Sequence, residues 1–139
     1  FLFGENALAE GVGEQLQAYP LPEAWYLVLF PPVQVPTARI FAHPELTRDS
    51  ISLRIRGLSL QGLRNDLQPV VCRLYPEVAN HLAWLGQYAE AMMTGSGACV
   101  FAEFPGMKLA QDVLGQLPPD MQGVVARGLP HHPLRDFAD

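Results

Sequence analysis

Ala91-Met92-Met93-Thr94-Gly95-Ser96-Gly97-Ala98-Cys99-Val100-Phe101-Ala102-Glu103-Phe104 is two apolar runs parted by Gly-Ser-Gly. The pattern predicts a strand over Ala91–Thr94, a tight turn, and a second strand over Ala98–Phe104, paired as a hairpin. Two glycines one residue apart also reach backbone angles closed to other residues, and can turn successive amides toward one point, as an anion-binding nest does. The same three residues serve a plain hairpin turn, so on its own the turn leaves both readings open. It is not a Walker loop. No Gly-Lys-Ser or Gly-Lys-Thr follows, and the flanks read as two strands instead of a strand and a helix.

Working back from the hairpin, the period becomes helical from Asn65, with Leu67, Val70, Val71, Leu74, Val78, Leu82, Leu85 and Ala89 at steps of three or four. Pro76 divides this stripe, because proline fits the first position of a helix but not its interior. Two helices are expected, over about 66–75 and 76–89. Beyond the hairpin, Leu109, Val113, Leu114 and Leu117 form another helical stripe, and Gly123–Gly128 supplies a last strand.

Toward the amino terminus, Trp25-Tyr26-Leu27-Val28-Leu29-Phe30, closed by Pro31-Pro32, reads as the central strand. Thr37 is expected to cap a short helix through Phe41 that stops before Pro44, and residues 43–62 read as a surface excursion. Ala7–Leu16 alternates apolar and polar residues around Gly11 and Gly13, which predicts a bent strand. Gly11-Val12-Gly13 lacks the third glycine and following helix of a dinucleotide fingerprint. The order strand, helix pair, hairpin, helix, strand defines an α+β, ferredoxin-like antiparallel sheet with helices on one face.

Composition narrows the function classes. With 139 residues, 49% hydrophobic and 17% charged, the chain can bury one core. A net charge of -5 with only 9 Lys and Arg provides no basic stripe for a nucleic-acid backbone. No apolar run approaches the roughly 20 residues of a membrane span, so neither nucleic acid nor membrane is an expected partner. The two cysteines, Cys72 and Cys99, have no metal-site spacing and suit a reducing cytoplasm. The chain starts at Phe1 without a Met or a leader, and so reads as an excised piece.

Several separated blocks stand in order along the chain: Phe3-Gly4-Glu5-Asn6-Ala7-Leu8-Ala9-Glu10-Gly11-Val12-Gly13-Glu14, Trp25-Tyr26-Leu27-Val28, Pro36-Thr37 with Ile40-Phe41, Asn65-Asp66, and Leu82–Ala89 leading into Met93–Ala102. Together they resemble the 4-diphosphocytidyl-2-C-methyl-D-erythritol kinase family of the GHMP superfamily. The resemblance spans nearly the whole chain and implies the GHMP kinase carboxy-terminal domain over residues 17–139. Residues 1–16 would then be the end of a preceding domain or connecting strands. It further implies a bacterial cytoplasmic enzyme that uses ATP and Mg²⁺ to phosphorylate the 2-hydroxyl of a cytidine-diphosphate alcohol in non-mevalonate isoprenoid synthesis.

The same resemblance places the ATP loop and the catalytic Asp and Lys in an amino-terminal domain outside these residues, so no catalytic residue is expected here and the chain alone should be inactive. Thr94, Gly95, Ser96 and Gly97 correspond to the glycine-rich turn that supports the phosphate loop. Phe41 corresponds to the aromatic that stacks on the cytosine, with Thr37 and Ala38 on the same wall; some relatives carry Pro where this chain has Ala38. From the residues alone, Ile40 and Phe41 read first as a core pair. Another GHMP kinase, of homoserine or mevalonate type, and a free-standing ferredoxin-like binding module remain the alternatives.

Other residues read as structural. His131-His132, between Pro130 and Pro133, suits a surface loop better than a metal site, and His43 and His81 are isolated. Glu10 and Glu14 read as exposed charges more readily than as an acid and base pair. Cys99 reads as a small buried hydrophobe in a strand. No metal site is expected.

Overall fold

The computed structural model describes residues 4–50 and 64–131, which fall into two compact units, residues 24–126 and residues 4–23 with 127–131. The larger unit carries strand β3 (Trp25–Leu29), helices α1 (Thr37–Phe41), α2 (Gln68–Leu74) and α3 (Pro76–Leu85), strands β4 (Ala91–Met93) and β5 (Val100–Phe104), helix α4 (Met107–Leu114) and strand β6 (Gly123–Arg127). Strands β1 (Ala7–Glu10) and β2 (Gln15–Ala18) belong to the smaller unit.

The four strands of the larger unit lie in the order β4-β5-β3-β6. That is the ferredoxin-like arrangement the element order implies. The chain enters at a central strand, crosses by helices to one edge, returns by the β4/β5 hairpin to the centre, and crosses by α4 to the other edge. The β3/β5 pair is antiparallel, with Leu27 opposite Ala102 and Leu29 opposite Val100; in the antiparallel β4/β5 pair Met93 also faces Val100.

Period-two alternation sorts these strands by face. Leu27, Leu29, Met93, Val100, Ala102 and Phe104 point to the side where Val78 and Leu85 of α3 and Ala110 and Val113 of α4 complete one core with Val70 and Val71 of α2. At about 1.5–3 kcal/mol per fully buried aliphatic side chain, this cluster is the main force holding the sheet to its helices. The opposite face carries Tyr26, Val28, Met92 and Phe101, all half-buried, with the Tyr26 and Phe101 rings edge to face at 6.1 Å. Burial first, and then the Glu103 carboxylate it meets, pushes the Tyr26 phenol above its ordinary value.

Pro76 stands at the first turn of α3, so the long apolar stripe does break there. The second helix ends at Leu85, with Gly86 as its C-cap, four residues short of Ala89. In α4 the buried positions are Ala110 and Val113, while Leu109 is exposed. The stripe through Leu109 therefore overstates that helix's apolar face. The 43–62 excursion is partly corrected as well: Leu46 is buried in the core, and residues 51–63 lie outside the described residues.

The smaller unit also corrects a reading. Ala7–Leu16 is a hairpin and not a bent strand, with Ala7 opposite Ala18 and Glu10 opposite Gln15. Gly11 and Gly13 take φ of 69° and 99°, angles an L side chain resists, and Gly13 N–H donates to Glu10 O at 3.1 Å. The Glu14 carboxylate accepts the Val12 N–H at 2.7 Å. Backbone donors lower its pKa, so Glu14 closes a turn and makes no pair with Glu10. An isolated bridge joins Glu5 to His131, and Arg127 pairs with Glu23 at 2.9 Å; His132 lies outside the described residues.

No helix among the described residues is long and apolar enough to cross a membrane.

Candidate functional site

Helix α1 is short and amphipathic. Ile40 enters the core with no exposed surface, whereas Phe41 is 54% exposed, so the two are not a core pair. Thr37, Ala38 and Phe41 are all exposed, and Thr37 and Phe41, at i and i+4, lie on one face. The Phe41 ring is thus left half in water on a helix that its neighbour Ile40 anchors in the core. Arg48 returns from the following segment to donate to Phe41 O at 2.8 Å and His43 O at 3.2 Å, fixing the carbonyl end of α1. The Glu45 carboxylate, two residues past His43, pairs with Arg73 of α2.

Thr37 does not cap α1. The N-cap is Pro36, and no side-chain cap bond forms. The Thr37 hydroxyl instead meets the Ser96 hydroxyl, Oγ1 to Oγ, at 2.8 Å across 59 residues of sequence. That bond brings the two groups of candidate residues together. It ties the first residue of α1 to the Thr94–Gly97 segment within the larger unit.

The glycine-rich loop is longer than the tight hairpin turn expected. β4 ends at Met93 and β5 begins at Val100, so Thr94 and Ala98-Cys99 belong to the loop, and half-buried Cys99 is not in a strand. Thr94 N–H donates to Cys99 O at 3.0 Å, and Gly97 N–H donates to Thr94 O at 3.0 Å. Gly97 therefore directs its amide into the loop. It sits at φ 91°, and a Cβ there would lie 3.0 Å from Met93 Sδ and 3.5 Å from methyls of Val35 and Val71. The back of the loop thus rests on the core, where a side chain at 97 would be strained by φ and would crowd Met93.

Two amides given no role in the sequence reading brace this loop and the strand that leads into it. Asn65 Nδ2 donates to Met93 O at 2.8 Å and to Gly95 O at 2.7 Å, while its Oδ1 accepts the Leu67 N–H at 3.0 Å. Gln68 Oε1 accepts the Met93 N–H at 2.8 Å. The signal available was an Asn just before a helical stripe, where an Asx turn commonly forms. Its long-range partners have no local signature.

No group of three or more His, Cys, Asp or Glu among the described residues is arranged to hold a metal ion. The Cys72 thiol, half-buried, has its pKa raised by burial, which opposes a nucleophilic role.

The family model described as GHMP kinases C terminal matches residues 43–121, and the chain belongs to this GHMP kinase carboxy-terminal family. Among its relatives are proteins named 4-diphosphocytidyl-2-C-methyl-D-erythritol kinase. That of Thiobacillus denitrificans is 61% identical over 137 residues, covering 99% of this chain and 49% of the relative. That of Nitrosospira multiformis is 55% identical over 142 residues, covering 100% and 48%. A crystal structure of 4-(cytidine 5'-diphospho)-2C-methyl-D-erythritol kinase superposes with a TM-score of 0.74 at 25% identity, covering 91% of this chain and 51% of that one. The chain spans about half the length of the curated relatives it matches.

Proposed function

We propose that this chain is the carboxy-terminal, substrate-binding half of a bacterial, cytoplasmic kinase. The intact enzyme transfers the γ-phosphoryl group of ATP to the 2-hydroxyl of 4-diphosphocytidyl-2-C-methyl-D-erythritol, in non-mevalonate isoprenoid synthesis. The observation that carries this reading is the Thr37 to Ser96 bond, which ties the helix carrying an exposed aromatic to a glycine-rich loop. A cytidine diphosphate has a planar base at one end and charged phosphates toward the other. Phe41 offers a face for the base, with Thr37 and Ala38 beside it. Thr94, Gly95, Ser96 and Gly97 support the phosphate loop of the preceding domain.

In the transfer, the acceptor oxygen forms its bond to Pγ as the bond from Pγ to the β-bridging oxygen breaks, and the hydroxyl proton passes to a base. Such chemistry depends on positioning and on charge neutralisation more than on covalent participation. The match to a carboxy-terminal GHMP family over about half the length of the relatives supports assigning ATP, Mg²⁺ and the base to an amino-terminal GHMP domain, with residues 1–16 as its end or as connecting strands, and the 139-residue chain alone is expected to be inactive.

The reading is tested by ligand choice in the full-length protein. Calorimetric titration should show cytidine 5'-diphosphate binding, and homoserine and mevalonate should not be phosphorylated. Transfer to either of those alcohols, without cytidine binding, would move the chain to another branch of the superfamily. An open reading frame beginning near Phe1, with no upstream glycine-rich serine motif, would favour a free-standing module.

A further inference from the structure

Met93 closes the edge strand β4, where the outward backbone groups have no neighbouring strand among the described residues. Side chains replace that neighbour: the Met93 N–H donates to Gln68 Oε1, and the Met93 carbonyl accepts from Asn65 Nδ2. Asn65 does more than cover an edge, because the same nitrogen also donates to Gly95 O at 2.7 Å, inside the glycine-rich loop. Both amide hydrogens and the amide oxygen have partners, and only a carboxamide has this inventory at this length. A carboxylate would aim its lone pairs at two carbonyl oxygens, and an apolar side chain would abandon both. The loop is therefore held on one side by Asn65, at Gly95, and on the other by Thr37, at Ser96.

We propose that Asn65 is a positioning residue for phosphoryl transfer: through Gly95 it holds the Thr94–Gly97 loop against α1, fixing the spacing between the phosphate-supporting loop and the base-stacking face of Phe41. The proposal rests on the functional reading above. Asn65 touches no reacting atom in this scheme, so its loss should lower the rate of transfer while leaving the base platform, and hence substrate affinity, nearly intact.

The test is Asn65→Asp in the full-length protein, with rates expressed per cytidine-diphosphate site titrated in each preparation, so that unfolded protein does not count. The expected result is about a tenfold loss in kcat, the scale of one hydrogen bond replaced by a repulsion, with KM for the cytidine substrate within about twofold of wild type. The two carbonyl dipoles disfavour the charged carboxyl and raise its pKa, so lowering the pH protonates it and restores a donor toward Gly95 O. The ratio of variant to wild-type kcat should therefore rise as pH falls, a recovery that general weakening of the fold would not produce. If Asn65→Asp does not fold, Asn65→Ser is measured in the same way and should show the kcat loss without the acid recovery.

A folded variant with wild-type kcat, or an Asn65→Asp defect indifferent to pH, would overturn the proposal. If the wild-type protein transfers no phosphate to the cytidine alcohol, the functional reading fails and the catalytic part of the proposal with it. The loop-holding part is then read separately: Asn65→Asp should speed amide hydrogen exchange at Thr94 and Gly97, whose N–H groups donate within the loop, at least tenfold, and unchanged exchange would sink it.

Discussion

Phe41→Ala in the full-length protein is expected to raise KM for the cytidine-diphosphate alcohol between about fivefold and about a hundredfold with kcat changed little, because stacking is worth roughly 1–3 kcal/mol per base. The sign of the split follows from geometry. Phe41 is exposed on α1 while Ile40 anchors the helix in the core, so truncating the ring removes a ligand surface without opening a cavity. The ring contributes equally to ground state and transition state, and that kind of binding appears in KM. Phe41→Trp should keep most of the affinity. Steady-state kinetics with the substrate varied checks both variants, and an unchanged KM for Phe41→Ala would remove Phe41 from the site.

Gly97→Val is expected to be the most damaging single change in the glycine-rich loop. At φ 91° a β-branched residue is a conformational outlier, costing about 1–3 kcal/mol. Its Cβ also comes within 3.0 Å of Met93 Sδ and against Val35 and Val71, so overpacking adds about 1–3 kcal/mol. The neighbouring glycine provides the control. Gly95 has φ 54° with nothing within 4 Å of an added Cβ, and asparagine tolerates that region, so Gly95→Asn should change stability by less than about 0.5 kcal/mol. Denaturant midpoints for the two variants check the contrast; similar losses would mean that the packing behind Gly97 does not decide the cost.

The fold was legible wherever periodicity and punctuation agreed. The Leu67 to Leu85 stripe, the break at Pro76 and the apolar runs flanking Gly-Ser-Gly give α2, α3, β4 and β5, and their order gives the β4-β5-β3-β6 sheet. The β1/β2 hairpin was missed because Gly11 and Gly13 suit a bulge or a reversal equally well; the Glu14 carboxylate on Val12 N–H closes the reversal, and that bond leaves no periodic trace. In the site, Phe41 and the Thr94–Gly97 loop were named through resemblance, while their adjacency depends on the Thr37 hydroxyl choosing Ser96 over a helix cap. A threonine after a proline reads locally as a cap. Only the tertiary approach of α1 to the loop supplies the better partner. Asn65 and Gln68 stayed unassigned for the same reason: their acceptors and donors on β4 and the loop lie 25 to 30 residues away.

A cytidine-alcohol kinase must leave a phosphorylated alcohol behind, and phosphorus NMR of the full-length protein incubated with ATP, Mg²⁺ and 4-diphosphocytidyl-2-C-methyl-D-erythritol reads that product directly. The expected spectrum shows loss of the ATP γ-phosphate signal and growth of one phosphomonoester resonance, coupled to the carbon bearing the 2-hydroxyl, with the cytidine diphosphate intact. Hydrolysis of ATP without a new phosphomonoester, or phosphorylation at another hydroxyl, would contradict it.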